Sequence, residues 1–489
     1  MELGILPTEI IHRICTHLCD HCDSPHSFPH AETWDVRGRK AALANLSTTS
    51  SRFRDIAQPV LFHYFASGTL PPRGYSPEYD SKLTREFSER ARKLPLFLRS
   101  AVQRPDLASR VKALQLVQSK QTDDEIPDVL GEYIRTMLAE AYCALNNKTG
   151  EDRDLLKESV DYWSHRIWFR PDSHLLIQVA LLLAPNIERL AIARDFYAGY
   201  DLLEICNGAL PSLKSIALRP WMENYHIHDA KPLFAAAPKL ETLYALGCGF
   251  KDEANNPNHG VPFELDLANL RKLIISGLEF YDLAMLLPTC PQLEELQYVR
   301  PTTETEFNED ITPLETLMPI RETLRKLRIK FTRFSVWGQL NQTFPRTLTT
   351  IESFKDFTAL EELTIEQAAI NCPVSPTPGG ARLVDWLPPS VQRVHFRDVT
   401  DGVPLLDHLS ILVSEALAKL PKLQAVGVTP LRWRETDAGW ESSVDRVTTE
   451  FGQAGLTFVQ VDPDECWEEP WLELMYPELV GKIKGHSYF

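Results

Sequence analysis

The feature that most constrains this chain is a short phrase that returns eleven times: an apolar residue, two free positions, an apolar residue, one free position, an apolar residue. It reads Val111-Leu114-Leu116, Ile187-Leu190-Ile192, Leu213-Ile216-Leu218, Leu240-Leu243-Ala245, Leu270-Leu273-Ile275, Leu293-Leu296-Tyr298, Leu324-Leu327-Ile329, Leu360-Leu363-Ile365, Val391-Val394-Phe396, Leu423-Val426-Val428 and Leu456-Val459-Val461. From Ile187 onward the starts lie 23 to 36 residues apart. The last two apolar residues of each phrase alternate with mostly polar ones, the pattern of a strand that buries one face. Helix-like stretches fill the intervals. Pro185, Pro211, Pro238, Pro291, Pro388 and Pro421 stand two or three residues before the next phrase, where proline stops a helix and favours extended backbone. One strand with its return helix cannot cover its own apolar face, but stacked copies can. The expected fold is therefore α/β, with a parallel sheet and the helices outside it. A doubly wound α/β domain also alternates strand and helix, but it rarely repeats so often, and no phosphate loop accompanies the phrases.

A second signal lies at Leu6 to Leu18. Pro7 suits the first turn of a helix, Glu9 favours the positive end of its dipole, and Ile10, Ile14 and Leu18 recur at spacing four beside Ile11 and Cys15. About three turns of helix are not stable alone in water, so this face needs a partner. Residues 41–65 supply one: Leu43 and Leu46, then Phe53, Ile56 and Ala57, then Val60 and Leu61 predict a second and a third short helix, with Pro59 between. Together, Leu6-Pro7, Glu9-Ile10, Leu43, Leu46, Arg52-Phe53-Arg54 and Pro59-Val60-Leu61 resemble an F-box at residues 1–66, carrying a loop insertion at 19–38. Residues 67–110 read as linker chemistry (Gly68, Pro71, Pro72, Gly74, Pro77), then helices broken at Pro95 and again at Pro105.

Behind such a module, the phrases of residues 111–461 resemble a degenerate leucine-rich-repeat solenoid, with the parallel sheet on a concave face. The usual Asn after each strand is missing, which leaves the curvature open. The long interval at about 118–172 is either two repeats with one strand unrecognised or a helical insertion. Pro373 to Gly380 reads as an exposed loop. Residues 462–489, acidic and aromatic, read as a C-terminal cap or a partner-binding tail.

Composition narrows the partners. A net charge of −16 argues against general nucleic-acid binding, which needs clustered Lys and Arg. The longest apolar run, Leu175 to Pro185, is too short to span a bilayer. Nine cysteines, with no basic-then-apolar leader ahead of them, read as reduced thiols in cytoplasm or nucleus. Cys19, Cys22, His26 and His30 have a spacing that allows one zinc, but the gap from Cys22 to His26 is much shorter than in common zinc fingers. The expectation is half-buried thiols, solvated histidines, and no metal or cofactor.

Strands in register would set side chains in rows on the concave face. Lys326, Arg328 and Lys330 would adjoin Glu362, Thr364 and Glu366, and these would adjoin Arg393, His395 and Arg397. Glu362 would then lie between Lys326 and Arg393, and Glu366 between Lys330 and Arg397. Such rows neutralise one another; they are also the candidate residues for reading a charged protein partner.

F-box proteins with leucine-rich repeats are substrate receptors of Skp–cullin–F-box ubiquitin ligases. The resemblance implies that this F-box binds a Skp-type adaptor, and through it cullin, while the repeats hold a protein target for ubiquitination. By motif position the adaptor contacts would come from Leu6, Pro7, Ile10, Ile14, Leu43, Leu46, Phe53, Ile56, Pro59 and Leu61. The receptor itself would perform no chemistry. An interaction scaffold that uses the adaptor without ubiquitin transfer is the alternative. No Walker loop, Gly-x-Ser-x-Gly elbow or His-Glu-x-x-His motif is present. Gly247-Cys248-Gly249 follows a predicted strand, but Asp252 stands where a dinucleotide site needs its third glycine.

Overall fold

The computed structural model describes residues 6–23, 34–68, 93–117, 131–137, 139, 173–194, 203, 210–220, 225–249, 265–299, 312–330, 351–370, 382–399, 402–430 and 440–461. The chain divides into two compact units, Met1–Tyr244 and Ala245–Glu469. Each of the eleven phrases is a strand, and one further strand precedes them. The first unit holds β1 (Tyr64–Ala66), β2 (Ala113–Val117), β3 (Arg189–Arg194), β4 (Ser215–Pro220) and, where the chain leaves it, β5 (Thr242–Ala245). The second holds β6 (Lys272–Ser276), β7 (Glu295–Val299), β8 (Lys326–Lys330), β9 (Glu362–Glu366), β10 (Arg393–Val399), β11 (Ala425–Pro430) and β12 (Thr457–Gln460).

The strands pair in parallel, and within each unit their hydrogen-bonded order is the order of the chain. A doubly wound sheet reverses its strand order at a switch point; neither unit does. The architecture is solenoid-like instead, each strand laid beside its predecessor after a return segment.

The step from strand to strand repeats in atomic detail. Two consecutive N–H groups close on one carbonyl of the previous strand's entry. Lys112 and Ala113 donate to the His63 carbonyl, Glu188 and Arg189 to that of Lys112, and Lys214 and Ser215 to that of Glu188. In the second unit Glu294 and Glu295 donate to the Arg271 carbonyl, Arg325 and Lys326 to that of Glu294, and Glu361 and Glu362 to that of Arg325. Just before each fork sits the first apolar residue of the phrase. Val111, Ile187, Leu213, Leu270, Leu293, Leu324, Leu360 and Val391 are all fully buried.

The strands are more deeply covered than a one-faced pattern predicts. Gln115, Ser276, Gln297, Lys330 and Glu366, on the opposite face, are buried too. Parallel sheets are usually covered on both faces, and a buried amide is tolerated when its hydrogen bonds are made. Gln115 meets that condition: its Nε2 donates to the Gly68 carbonyl at 2.6 Å, and its Oε1 accepts from the Tyr64 hydroxyl at 3.4 Å.

The N-terminal helices differ from expectation at their ends. They are α1 (Thr8–His17), α2 (Asp20–Asp23), α3 (Trp34–Thr49) and α4 (Ser51–Leu61). Residues 19–38 are thus partly helical rather than a loop. The break falls at Ser50, not at Pro59. The Ser50 hydroxyl caps α4 by accepting from the Phe53 N–H at 3.3 Å. Pro59 lies inside α4, two residues before its end, so the helix continues past the one N–H bond to the Asp55 carbonyl that proline removes. Pro95 likewise does not break its helix, Lys93–Gln103; it stands in the first turn, where an N–H has no intrahelical acceptor. Most of 118–172, Pro373 to Gly380 and 462–489 lie outside the described residues.

Gly247, in the turn that follows β5, has a φ of 69°, and Cys248–Gly249 form a short extended segment after it; Gly277 has a φ of 98°. The Gly247 N–H donates to the Ser276 hydroxyl at 2.8 Å. A Cβ on Gly277 would lie 2.5 Å from the Cys248 carbonyl oxygen. Gly277→Ala is expected to cost about 2 kcal/mol or more, read as a lower urea midpoint with far-UV circular dichroism retained before unfolding.

Candidate functional site

α1 has two faces. Ile11 and Cys15 enter a core with Cys19, Leu43, Ala57 and Val60, drawn from α1, α3 and α4 and the residue after α1. Leu6, Leu18, Leu46, Phe53, Ile56 and Leu61 pack against that core while partly exposed. The adjacent face carries Pro7, Ile10 and Ile14, which are exposed; Ile10 and Ile14 retain 44% and 40% of their surface in solvent. Ile10 and Ile14 lie one turn apart and form a small apolar patch on the helix surface. The residue set proposed from motif position is thereby sorted. Leu43, 1% exposed, is core. Leu6, Leu46, Phe53, Ile56, Pro59 and Leu61 are half-buried. The Arg-Phe-Arg stretch holds the arrangement together: Arg52 Nη2 donates to the Leu6 carbonyl at 2.6 Å and Arg54 Nε to the Ser47 carbonyl at 3.4 Å.

Behind this surface, Cys19 and Cys22 do come together, with partners other than those expected. His21 and His63 join them, and the four ligand-capable atoms lie within 4.8 Å of one another. Cys22 Sγ is 3.3 Å from His63 Nδ1 and 3.6 Å from His21 Nδ1. The Cys22 thiol, beside His21 and His63 across the same cluster, pulls the Cys19 thiol well below its ordinary range against the opposing effect of burial, while Cys22 itself is raised by Cys19. The other described cysteines behave oppositely: burial raises Cys15 and Cys248, and pushes Cys290 up to about 12. His26 and His30 lie outside the described residues. His63 was not legible as a member because it is 41 residues from Cys22.

The charged rows of the second unit form in the predicted register. Glu362 stands opposite Lys326 on one side and Arg393 on the other. Its carboxylate binds Lys326 Nζ at 3.3 Å and the Arg393 guanidinium. Burial alone would raise the Glu362 carboxyl, but the Arg393 hydrogen bond and the Lys326 and Arg393 charges hold it below the usual range. The row extends further than expected: Lys272 pairs with Glu295 at 2.9 Å, and Glu295 faces Lys326 in register. Glu366 lies opposite Arg397. Lys330 and Glu366 are buried, so these two side chains do not present themselves to a partner, contrary to expectation. Lys326, Arg328 and Arg393 are exposed.

His395 sits in the middle of this surface, with Thr364 and Gly427 as its register neighbours. The missing side chain of Gly427 leaves room for the ring: a Cβ there would lie 3.1 Å from His395 Cδ2. His395 Nε2 and the Thr429 hydroxyl share a hydrogen bond of 2.7 Å.

No protein-family model and no curated protein matches the chain.

Burial, then the Arg397 and Arg328 charges, push the His395 imidazole down to about 4. An unfolded histidine titrates near about 6.5, so the unfolded chain takes up a proton that the folded chain refuses. The corresponding stability is complete above about pH 6.5 and falls as the pH drops towards about 4. His395→Gln should flatten that part of a stability-against-pH profile measured by chemical denaturation.

Proposed function

We propose that this chain is the substrate-recognition subunit of an SCF-type ubiquitin ligase. In this reading α1 to α4 form an F-box that docks on a Skp-type adaptor, and the parallel strand array is a leucine-rich-repeat surface that holds the protein target. The receptor performs no bond-making step of its own; it raises the target's effective concentration beside a charged conjugating enzyme. The observation that carries the reading is the exposed Pro7, Ile10 and Ile14 face on a helix whose other face is locked into a three-helix core. An adaptor would cover that face, with half-buried Leu6, Phe53 and Pro59 as further contacts. Leu43 supports the fold and does not meet the adaptor. On the strand array, the exposed cations Lys326, Arg328 and Arg393 are the residues that would meet a target.

Ile10→Ala with Ile14→Ala in the full chain should weaken capture of purified Skp-type adaptor by more than tenfold, since each buried isoleucine contributes roughly 1–3 kcal/mol. Thermal stability should hardly change, because both side chains are already exposed. Leu43→Ala should do the reverse to stability, lowering it by about 2–5 kcal/mol. Undiminished capture by the double variant, measured by surface plasmon resonance, would refute the docking assignment.

A further inference from the structure

The Cys/His cluster at the junction between the helical module and the first strands plays no part in the adaptor reading. We infer that Cys19, His21, Cys22 and His63 form a structural zinc site that fastens α2 to the chain's entry into β1.

The donor geometry supports a single tetrahedral ion. Zinc–sulfur and zinc–nitrogen bonds of about 2.3 and 2.0–2.1 Å place neighbouring donors roughly 3.3–3.8 Å apart around a tetrahedron. The two separations from Cys22 Sγ, 3.3 Å to His63 Nδ1 and 3.6 Å to His21 Nδ1, fall in that interval. All four donors lie within 4.8 Å of each other, so modest side-chain movement closes the set. The chemistry of the donors selects the ion. Two thiolates and two imidazoles suit zinc, whereas calcium and magnesium require oxygen ligands and iron–sulfur clusters ordinarily take four thiolates. Four protein donors leave no open position for water or substrate, so the site is structural rather than catalytic.

The surroundings are those of a built site. A metal-bound histidine usually directs its second ring nitrogen to a carboxylate, which fixes the ring. The His21 ring is turned that way: while Nδ1 faces Cys22, Nε2 lies 3.8 Å from Glu188 Oε2, beyond hydrogen-bond length but on the carboxylate's side. Glu188 is in turn held by Lys112 Nζ at 2.9 Å. The His21 backbone is anchored as well, its carbonyl accepting from Arg189 Nη2 at 2.9 Å. Cys19, 4% exposed, backs onto the apolar core of Ile11, Leu43 and Val60. That wall keeps water from one side of the cluster.

The site's position gives it a purpose. Cys19, His21 and Cys22 lie within four residues of one another at α2, while His63 directly precedes β1 and its carbonyl receives the first fork of the strand array. One ion would tie a short helix, unable to persist alone, to the start of the sheet. The inference does not depend on adaptor binding.

The test uses the full chain, purified with reductant and without chelator, and reads metal by mass spectrometry and by substitution with cobalt(II). The expected result is about one zinc per chain, a visible cobalt spectrum of tetrahedral type with thiolate charge-transfer bands, and a fall in thermal midpoint of roughly 4 °C or more on chelation. Cys22→Ser and His63→Ala should each lose the metal, while His26→Ala with His30→Ala should keep it. Should either of the first two variants fail to fold, His63→Cys decides: it should retain the ion and strengthen the charge-transfer bands by one thiolate. Zinc below a tenth per chain with no cobalt bands, a Cys19–Cys22 disulfide in the purified protein, retention by folded His63→Ala, an unchanged cobalt spectrum in His63→Cys, or loss in the His26/His30 variant would each overturn the site.

Discussion

A strand-and-return unit of this chain has one apolar face and nothing of its own to set against it. Every described element answers that need. In ten of the phrases the first residue lies under the strand entry, the next two are buried in the same layer, and neighbouring repeats cover them; in the last, Leu456-Val459-Val461, Val459 is exposed and Phe458 stands opposite Val426 instead. Each fully buried leucine or isoleucine contributes about 1.5–3 kcal/mol relative to exposure, but only once its neighbour is in place. The paired N–H groups on a single carbonyl act at the same point. They fix each strand's register on its neighbour at the point where its side chains begin to meet. Stability is therefore held between units rather than within them, and the phrase tolerates wide variation in the length of the returns.

The helical module solves the same problem by another route. Its helices are short, and α1 is stable only because Ile11 and Cys15 share a core with Leu43, Ala57 and Val60. With one face committed to that core, the other is rigidly presented. Ile10 and Ile14 are therefore fixed in position by the core that anchors their helix, which is how a binding surface on a helix gains precision.

The strands were readable in the sequence because their signal is local: two alternations and a leading apolar residue within six positions. β1 escaped notice for a physical reason. Phe65 stands opposite Leu114, but the position two residues on is Ser67. That serine is buried because its hydroxyl accepts the Val117 N–H at 2.8 Å, so a polar residue does there what a leucine does elsewhere. Pro95 does not break its helix because in the first turn an N–H has no intrahelical acceptor to lose; Pro59 costs α4 one bond, and the packing of Ala57 and Val60 in the core holds the helix on either side of it. Glu362 between Lys326 and Arg393 was legible because register follows from the phrase. The meeting of His63 with Cys19 and Cys22 was not, because no spacing rule spans the intervening helices.

From β2 to β9 the charges at the strand entries alternate in sign, and uncharged Gln392 and Gln424 follow at β10 and β11. Lys112, Glu188, Lys214 and Glu241 follow one another in the first unit; Arg271, Glu294, Arg325 and Glu361 do so in the second. Adjacent members pair, as in Arg271–Glu294 and Arg325–Glu361, both at 2.6 Å. Each such pair contributes only about 0.2–1 kcal/mol. Their order has a further consequence for which strands fit side by side. A strand that skipped its rightful neighbour would set lysine against lysine, arginine against arginine, or glutamate against glutamate. The alternation works as a parity check, letting near-identical segments tell odd from even while the apolar phrase, common to all, cannot.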